Sequence, residues 1–74
     1  MNITIEVLTP DTEILASALR TEIESAPYTK SKMSLKVKDT LLTLKIEADD
    51  ISALRGTFNS CMNWLIAALE SLSV

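Results

Sequence analysis

Residues 50 to 72 constrain this chain more than any other stretch. Apolar side chains fall at Ile51, Leu54, Phe58, Cys61, Leu65, Ala68 and Leu72, separated alternately by three and four positions. That spacing marks one face of an amphipathic helix. Asp49 or Asp50, just ahead of it, supplies an N-terminal cap and complements the helix dipole. No charged residue occurs between Gly56 and Leu69, whereas a solvated helix face normally carries several. At roughly 100° per residue, Ala53, Gly56, Ser60, Ala67 and Ser71 form a second stripe of small residues opposite the first. Small side chains at this spacing let another helix approach closely, on steric grounds that hold in or out of a membrane. Two readings stay open: a helical partner covers this side, or the helix is partly sunk in its own fold and has a small, polar, wet back.

The length bears on that choice. Seventy-four residues make a single domain, 1–74, and a chain of that size buries only roughly 60% of the surface it exposes when unfolded. Such domains add disulfides, metals or oligomerisation. With one cysteine and no histidine, oligomerisation is what remains. Cys61 lies beside Phe58 and Leu65 on the apolar stripe, which fits a small buried hydrophobe better than a reactive thiol and suits a reducing cytoplasm. The beginning Met1-Asn2-Ile3-Thr4-Ile5-Glu6 has neither the basic region nor the apolar run of a secretory signal. The uncharged run is too short and too rich in Ser and Asn to span a bilayer, which takes about 18 or more apolar residues, so the expectation is a soluble protein with no membrane contact.

Upstream, Ile3, Ile5 and Val7 alternate with Thr4 and Glu6, the period of a half-buried strand. Thr9 then caps a helix whose first residue is Pro10, with Asp11 and Glu13 in the first turn. Ile14, Leu15, Ala18, Leu19 and Ile23 form its apolar stripe, Glu13, Ser17, Arg20 and Glu24 lie outside, and it ends before Pro27. Past a Ser/Pro/Tyr/Thr connection, Met33, Leu35 and Val37 alternate with Lys32, Ser34, Lys36 and Lys38; after Asp39-Thr40 the alternation resumes through Leu42, Leu44, Ile46 and Ala48. This hairpin lacks the glycine of a tight primed turn, which predicts a bulge or a longer loop.

One apolar face per strand in the order β-α-β-β-α predicts an α+β two-layer sandwich, a three-stranded antiparallel sheet with both helices on one face. A split connection places the third strand between the first two. The open face then carries Thr4, Glu6, Lys32, Ser34, Lys36, Lys38, Thr43 and Lys45, and an unpaired edge strand invites a second copy.

Chemistry finds little support. The commonest general base is absent, the adjacent pair Asp49 and Asp50 is explained by capping, no His or Cys cluster offers a metal site, and the lone glycine sits inside a helix rather than in a phosphate-cradling loop. No catalytic residue, metal or cofactor is expected. Binding has more to draw on. The chain carries a net charge of −3, yet residues 30 to 45 hold five of its seven basic residues against Asp39 alone, a local +4 that leaves −7 elsewhere. Lys32, Lys36, Lys38 and Lys45 are therefore candidate nucleic-acid contacts, weighed against a solvated face that only prevents aggregation. The aromatics Tyr28, Phe58 and Trp64 fall off that face, so base stacking is not indicated. On the long helix, Trp64 is either core or an interface anchor. Arg55 snorkels to water or meets a carboxylate across an interface, and Asn59 and Asn63 are wet or interfacial.

The run Ala48-Asp49-Asp50-Ile51-Ser52-Ala53-Leu54-Arg55-Gly56-Thr57-Phe58-Asn59-Ser60, followed by Trp64-Leu65, resembles the small dimerisation subunits of the KEOPS complex (EKC in eukaryotes). The resemblance covers essentially the whole chain, including the Tyr28 to Ser31 connection; its specific part is the Ala-x-Asp-x-x-Ala-Leu-Arg…Asn-Ser core. It implies a non-catalytic scaffold that forms a homodimer through its sheets. It further implies that the helical side binds, as a helical bundle, the N-terminal hairpin of the ATP-dependent catalytic subunit. That subunit makes threonylcarbamoyladenosine (t6A) beside the anticodon of tRNAs reading ANN codons. Other KEOPS subunits and tRNA would be met through the complex, in the cytoplasm, and the family's links to transcription and telomere maintenance would be indirect.

Leu54, Arg55, Asn59, Ser60 and Trp64 match the family's helix motif. With Ala53, Gly56, Asn63 and Ala67 they make up the candidate partner-binding face. The alternative is a free-standing nucleic-acid-binding module that uses the lysine-rich sheet face.

Overall fold

The computed structural model describes residues 1–25 and 30–72. Five elements follow in the order β1 (Asn2–Leu8), α1 (Thr12–Ser25), β2 (Ser31–Lys38), β3 (Leu41–Ala48) and α2 (Ile51–Leu72). The sheet order is β1-β3-β2, and β3 runs antiparallel to both neighbours. This is the predicted α+β arrangement, with the third strand between the first two. Pro27 and Tyr28 lie outside the described residues, and α1 ends at Ser25 ahead of them.

Alternation along each strand sends successive side chains to opposite faces. Inward-facing Ile5, Val7, Leu35, Val37 and Leu42 pack with Leu15, Ala16 and Leu19 of α1 and with Leu65 of α2. Toward the other end of the sheet, Ile3, Met33, Leu44, Ile46 and Ala48 pack with Ile23 of α1 and with Leu54, Phe58 and Cys61 of α2. Both helices thus cover one face, and each buried leucine contributes about 1.5–3 kcal/mol by leaving water. At about 1.5 Å per residue α2 is roughly 33 Å long, close to the 35 Å long axis of the molecule.

Four local expectations are corrected. α1 begins at Thr12 rather than Pro10: the Thr9 hydroxyl does accept a capping-type bond from the Asp11 N–H (3.2 Å), but the first helical bond runs from the Leu15 N–H to the Asp11 carbonyl. The buried face of α1 is rotated, with Thr12, Leu15, Ala16 and Leu19 inside and Ile14 and Ala18 exposed. On that side Leu15, Ala16 and Leu19 enter the core, and the Thr12 hydroxyl is satisfied there by donating to the Asp39 carbonyl at 3.0 Å. On α2, Thr57 is buried (2% exposed) while Ile51 at the stripe's start is exposed.

The hairpin is a two-residue turn rather than a bulge, because Lys38 pairs directly with Leu41. Asp39 supplies the left-handed conformation (φ 54°) that such a turn needs, a conformation aspartate tolerates better than most residues. The Thr9 N–H donating to the Thr40 carbonyl at 2.8 Å fastens the same turn to the end of β1.

Candidate interaction surfaces

Asp50, not Asp49, starts the long helix: its Oδ1 accepts from the Ala53 N–H at 2.7 Å. From there the buried arc is Leu54, Thr57, Cys61 and Leu65. Thr57 belongs in that arc because its hydroxyl shares a 2.6 Å hydrogen bond with the Ser31 hydroxyl at the start of β2, which removes the usual cost of burying a polar group. Cys61 is fully buried, and desolvation pushes its thiol up to about 11. It is protonated at neutral pH and is not a nucleophile.

The remaining arc of α2 is exposed at several positions. Arg55, Gly56, Asn59, Asn63 and Ala67 are exposed; Ala53, Ser60 and Trp64 are half-buried. Ala53 and Trp64 also pack against the core clusters, and Leu54 lies in the core at 7% exposure. Gly56 is informative, since a methyl group placed there would meet nothing within 4 Å among the described residues. A helical glycine costs about 0.5–1 kcal/mol relative to alanine, and none of the described residues requires it. Sequence periodicity did not separate out Ile66 and Leu69, exposed at 48% and 38%. Their only signal is their place in the charge-free run. Ile14, 56% exposed on α1, adds a third large apolar side chain to the outer surface of the helical layer.

The other face of the sheet is polar. Lys32, Lys36 and Lys38 project from the β2 edge and Lys45 from the central strand, all exposed. Lys45 pairs with Glu47 at 3.4 Å; among the described residues no carboxylate lies within 4 Å of Lys32, Lys36 or Lys38. The two sheet edges differ in charge. β1 presents Asn2, Thr4, Glu6 and Leu8 outward and β2 presents three lysines. Among the described residues no three His, Cys, Asp or Glu side chains converge as a metal site would require, and no helix is long and apolar enough to cross a membrane.

Two comparisons bear on this arrangement. The profile of the family described as Transcription factor Pcc1 matches residues 1–73. Among curated proteins, the KEOPS complex subunit Pcc1 of Pyrococcus abyssi (strain GE5 / Orsay) is 36% identical to this chain over 62 residues, which span 84% of this chain and 76% of that protein.

Proposed function

The chain belongs to the Pcc1 family of KEOPS complex subunits, and from that membership we propose that it is a non-catalytic scaffold that pairs with a second copy and docks the ATP-dependent catalytic subunit. Through that subunit it supports t6A synthesis on tRNA in the cytoplasm, and it meets the other KEOPS subunits indirectly. The observation that carries the docking half is the exposed arc of α2, where Arg55 is the one charge and Gly56 is open among the described residues. A helix of the partner that packs on this arc approaches closely at Gly56 and Ala67 and meets Asn59 and Asn63 between them and Ile66 at the margin.

Charge supports β1 as the edge that meets the second copy. Two β2 strands paired about a two-fold axis with their lysine faces aligned put a lysine opposite a lysine: Lys32 against Lys38 when Leu35 lies on the axis, Lys32 against Lys36 when Ser34 does. Like charges opposed across strands destabilise a pair. Two β1 strands paired about Ile5 set Thr4 against Glu6 and Asn2 against Leu8, with no like charges opposed.

Solution mass by light scattering, for the chain alone and then mixed with the KEOPS catalytic subunit, tests the reading. A dimer that gains the catalytic subunit supports it, and a monomer that ignores that subunit overturns it.

A further inference from the structure

β2 is an edge strand with β3 as its one neighbour in the sheet, and the hydrogen-bond pattern fixes which of its residues turn their backbone outward. Met1 and Ala48 exchange both ladder bonds, the Ala48 N–H donating to the Met1 carbonyl at 2.9 Å and the Met1 nitrogen to the Ala48 carbonyl at 3.2 Å. Backbone groups alternate sides along an antiparallel strand. Ala48, Ile46, Leu44 and Leu42 therefore bond to β1, and Glu47, Lys45, Thr43 and Leu41 bond to Lys32, Ser34, Lys36 and Lys38 of β2. Met33, Leu35 and Val37 direct their N–H and C=O groups out of the sheet, and none of the described residues receives them.

The same three residues carry apolar side chains that stand half-buried at the margin of the core, while Lys32, Lys36 and Lys38 are exposed on the open face. Edges are ordinarily blunted by shortness, proline, bulges or charges that point inward. β2 has none of these: it runs for eight residues in unbroken register with β3, holds no proline, and its lysines point away from the core. Those lysines oppose a second β2, because like charges across strands destabilise a pair. They favour a strand of the opposite charge.

We infer that β2 takes up, as a fourth strand, an extended segment of another protein in which acidic and apolar residues alternate. Antiparallel addition sets acidic side chains opposite Lys32, Lys36 and Lys38 on the open face and apolar ones opposite Met33, Leu35 and Val37 on the helical side. Main-chain bonds to the three outward residues give affinity, and the alternating side chains give specificity and register. No stretch of this chain carries that alternation over the length of β2, so the occupant is a different protein rather than a second copy. The inference goes beyond the scaffold reading, which uses β1 and α2 and leaves β2 free.

The test is fluorescence anisotropy of the full chain at low salt with a short labelled peptide in which glutamate and valine alternate, threonine standing where Ser34 would be met. Binding is expected to weaken as salt rises. K36E weakens it about three- to tenfold, and a peptide with lysine at the facing position recovers the loss. N-methylation of the valines, whose N–H groups meet the outward carbonyls of β2, abolishes binding. In amide exchange followed by NMR, the peptide slows Met33, Leu35 and Val37 and leaves Lys32, Lys36 and Lys38, already bonded to β3, unchanged. No binding at low salt, equal binding of the N-methylated or of a scrambled peptide, or protection that misses those three amides overturns the proposal and leaves the lysines as a guard against aggregation. Light scattering on the same mixtures reads the dimer separately: a peptide that binds β2 and also splits the dimer counts against β1 as the dimer edge, not against this site.

Discussion

Ser31 Oγ and Thr57 Oγ1 stand 2.6 Å apart, joining the first residue of β2 to the buried arc of α2 across 26 positions of sequence. The bond is asymmetric in its surroundings, because Thr57 is buried while Ser31 is half-buried. Ser31→Ala strands a buried hydroxyl and should cost about 1–3 kcal/mol, whereas Thr57→Val leaves a serine that reaches water and should cost about 1 kcal/mol or less. The double variant should recover most of the loss. A double-mutant cycle by urea denaturation checks this, and additive losses would show that the two hydroxyls are not coupled.

Gly56 separates the needs of the chain from those of its partner. Gly56→Ala should stabilise the isolated chain by about 0.5–1 kcal/mol, since the helix gains propensity and the methyl meets none of the described residues. Gly56→Leu or Ser60→Leu should abolish binding of the KEOPS catalytic subunit while the homodimer persists. Size-exclusion chromatography with light scattering reads both; loss of the two assemblies together, or of neither, contradicts the assignment of α2 to docking.

For the dimer edge the expectation is a contrast between strands. Thr4→Glu beside Glu6 brings like charges together across a β1–β1 pairing and should weaken the dimer by about 1 kcal/mol through two symmetric pairs. Ser34→Glu on β2 should leave it unchanged. Sedimentation equilibrium at low salt measures the two dissociation constants, and the reverse pattern would move the interface to β2.

Burial of Cys61 implies a pH dependence. Its folded pKa is raised to about 11, so the unfolded chain gives up the thiol proton first as the solution becomes alkaline. The contribution is complete below the unfolded value and disappears as pH rises from about 9 through about 11. Stability of the native chain should therefore fall more steeply over this range than that of Cys61→Ala, which has no thiol to titrate. Denaturation midpoints of the two proteins, compared at matched pH, decide it.

The five elements were legible because each strand and helix declares its period locally. What periodicity missed was set by partners far away in sequence. Thr57 was not in the apolar stripe because the hydroxyl that lets it be buried belongs to Ser31. Ile14 and Ala18 looked like core because the inward side of α1 depends on long-range contacts, Ala16 in the core and Thr12 bonded to Asp39 of the hairpin turn. The tight turn was missed because Asp39 stands in for the expected glycine. Of the helix motif, the exposed arc was readable from the charge-free run after Arg55 and the burial of Leu54 from its place on the apolar stripe, but the half-burial of Trp64 depended on how α2 seats on the sheet.

The strand order also carries a consequence for assembly in time. β2 and β3 pair across a two-residue turn, whereas the nearest β1–β3 partners, Leu8 and Leu41, are separated by all of α1, the following connection and β2. Closing the longer loop costs about 2 kcal/mol more in chain entropy, by the logarithmic dependence on loop length. The hairpin is thus the inexpensive part of the sheet and β1 the late arrival, clipped in place at its far end by the Thr9 bond to Thr40. A second copy bound along β1 would hold the strand that the chain alone holds least firmly. Dimerisation would then be read as slower amide exchange in residues 2 to 8, with little change in β2.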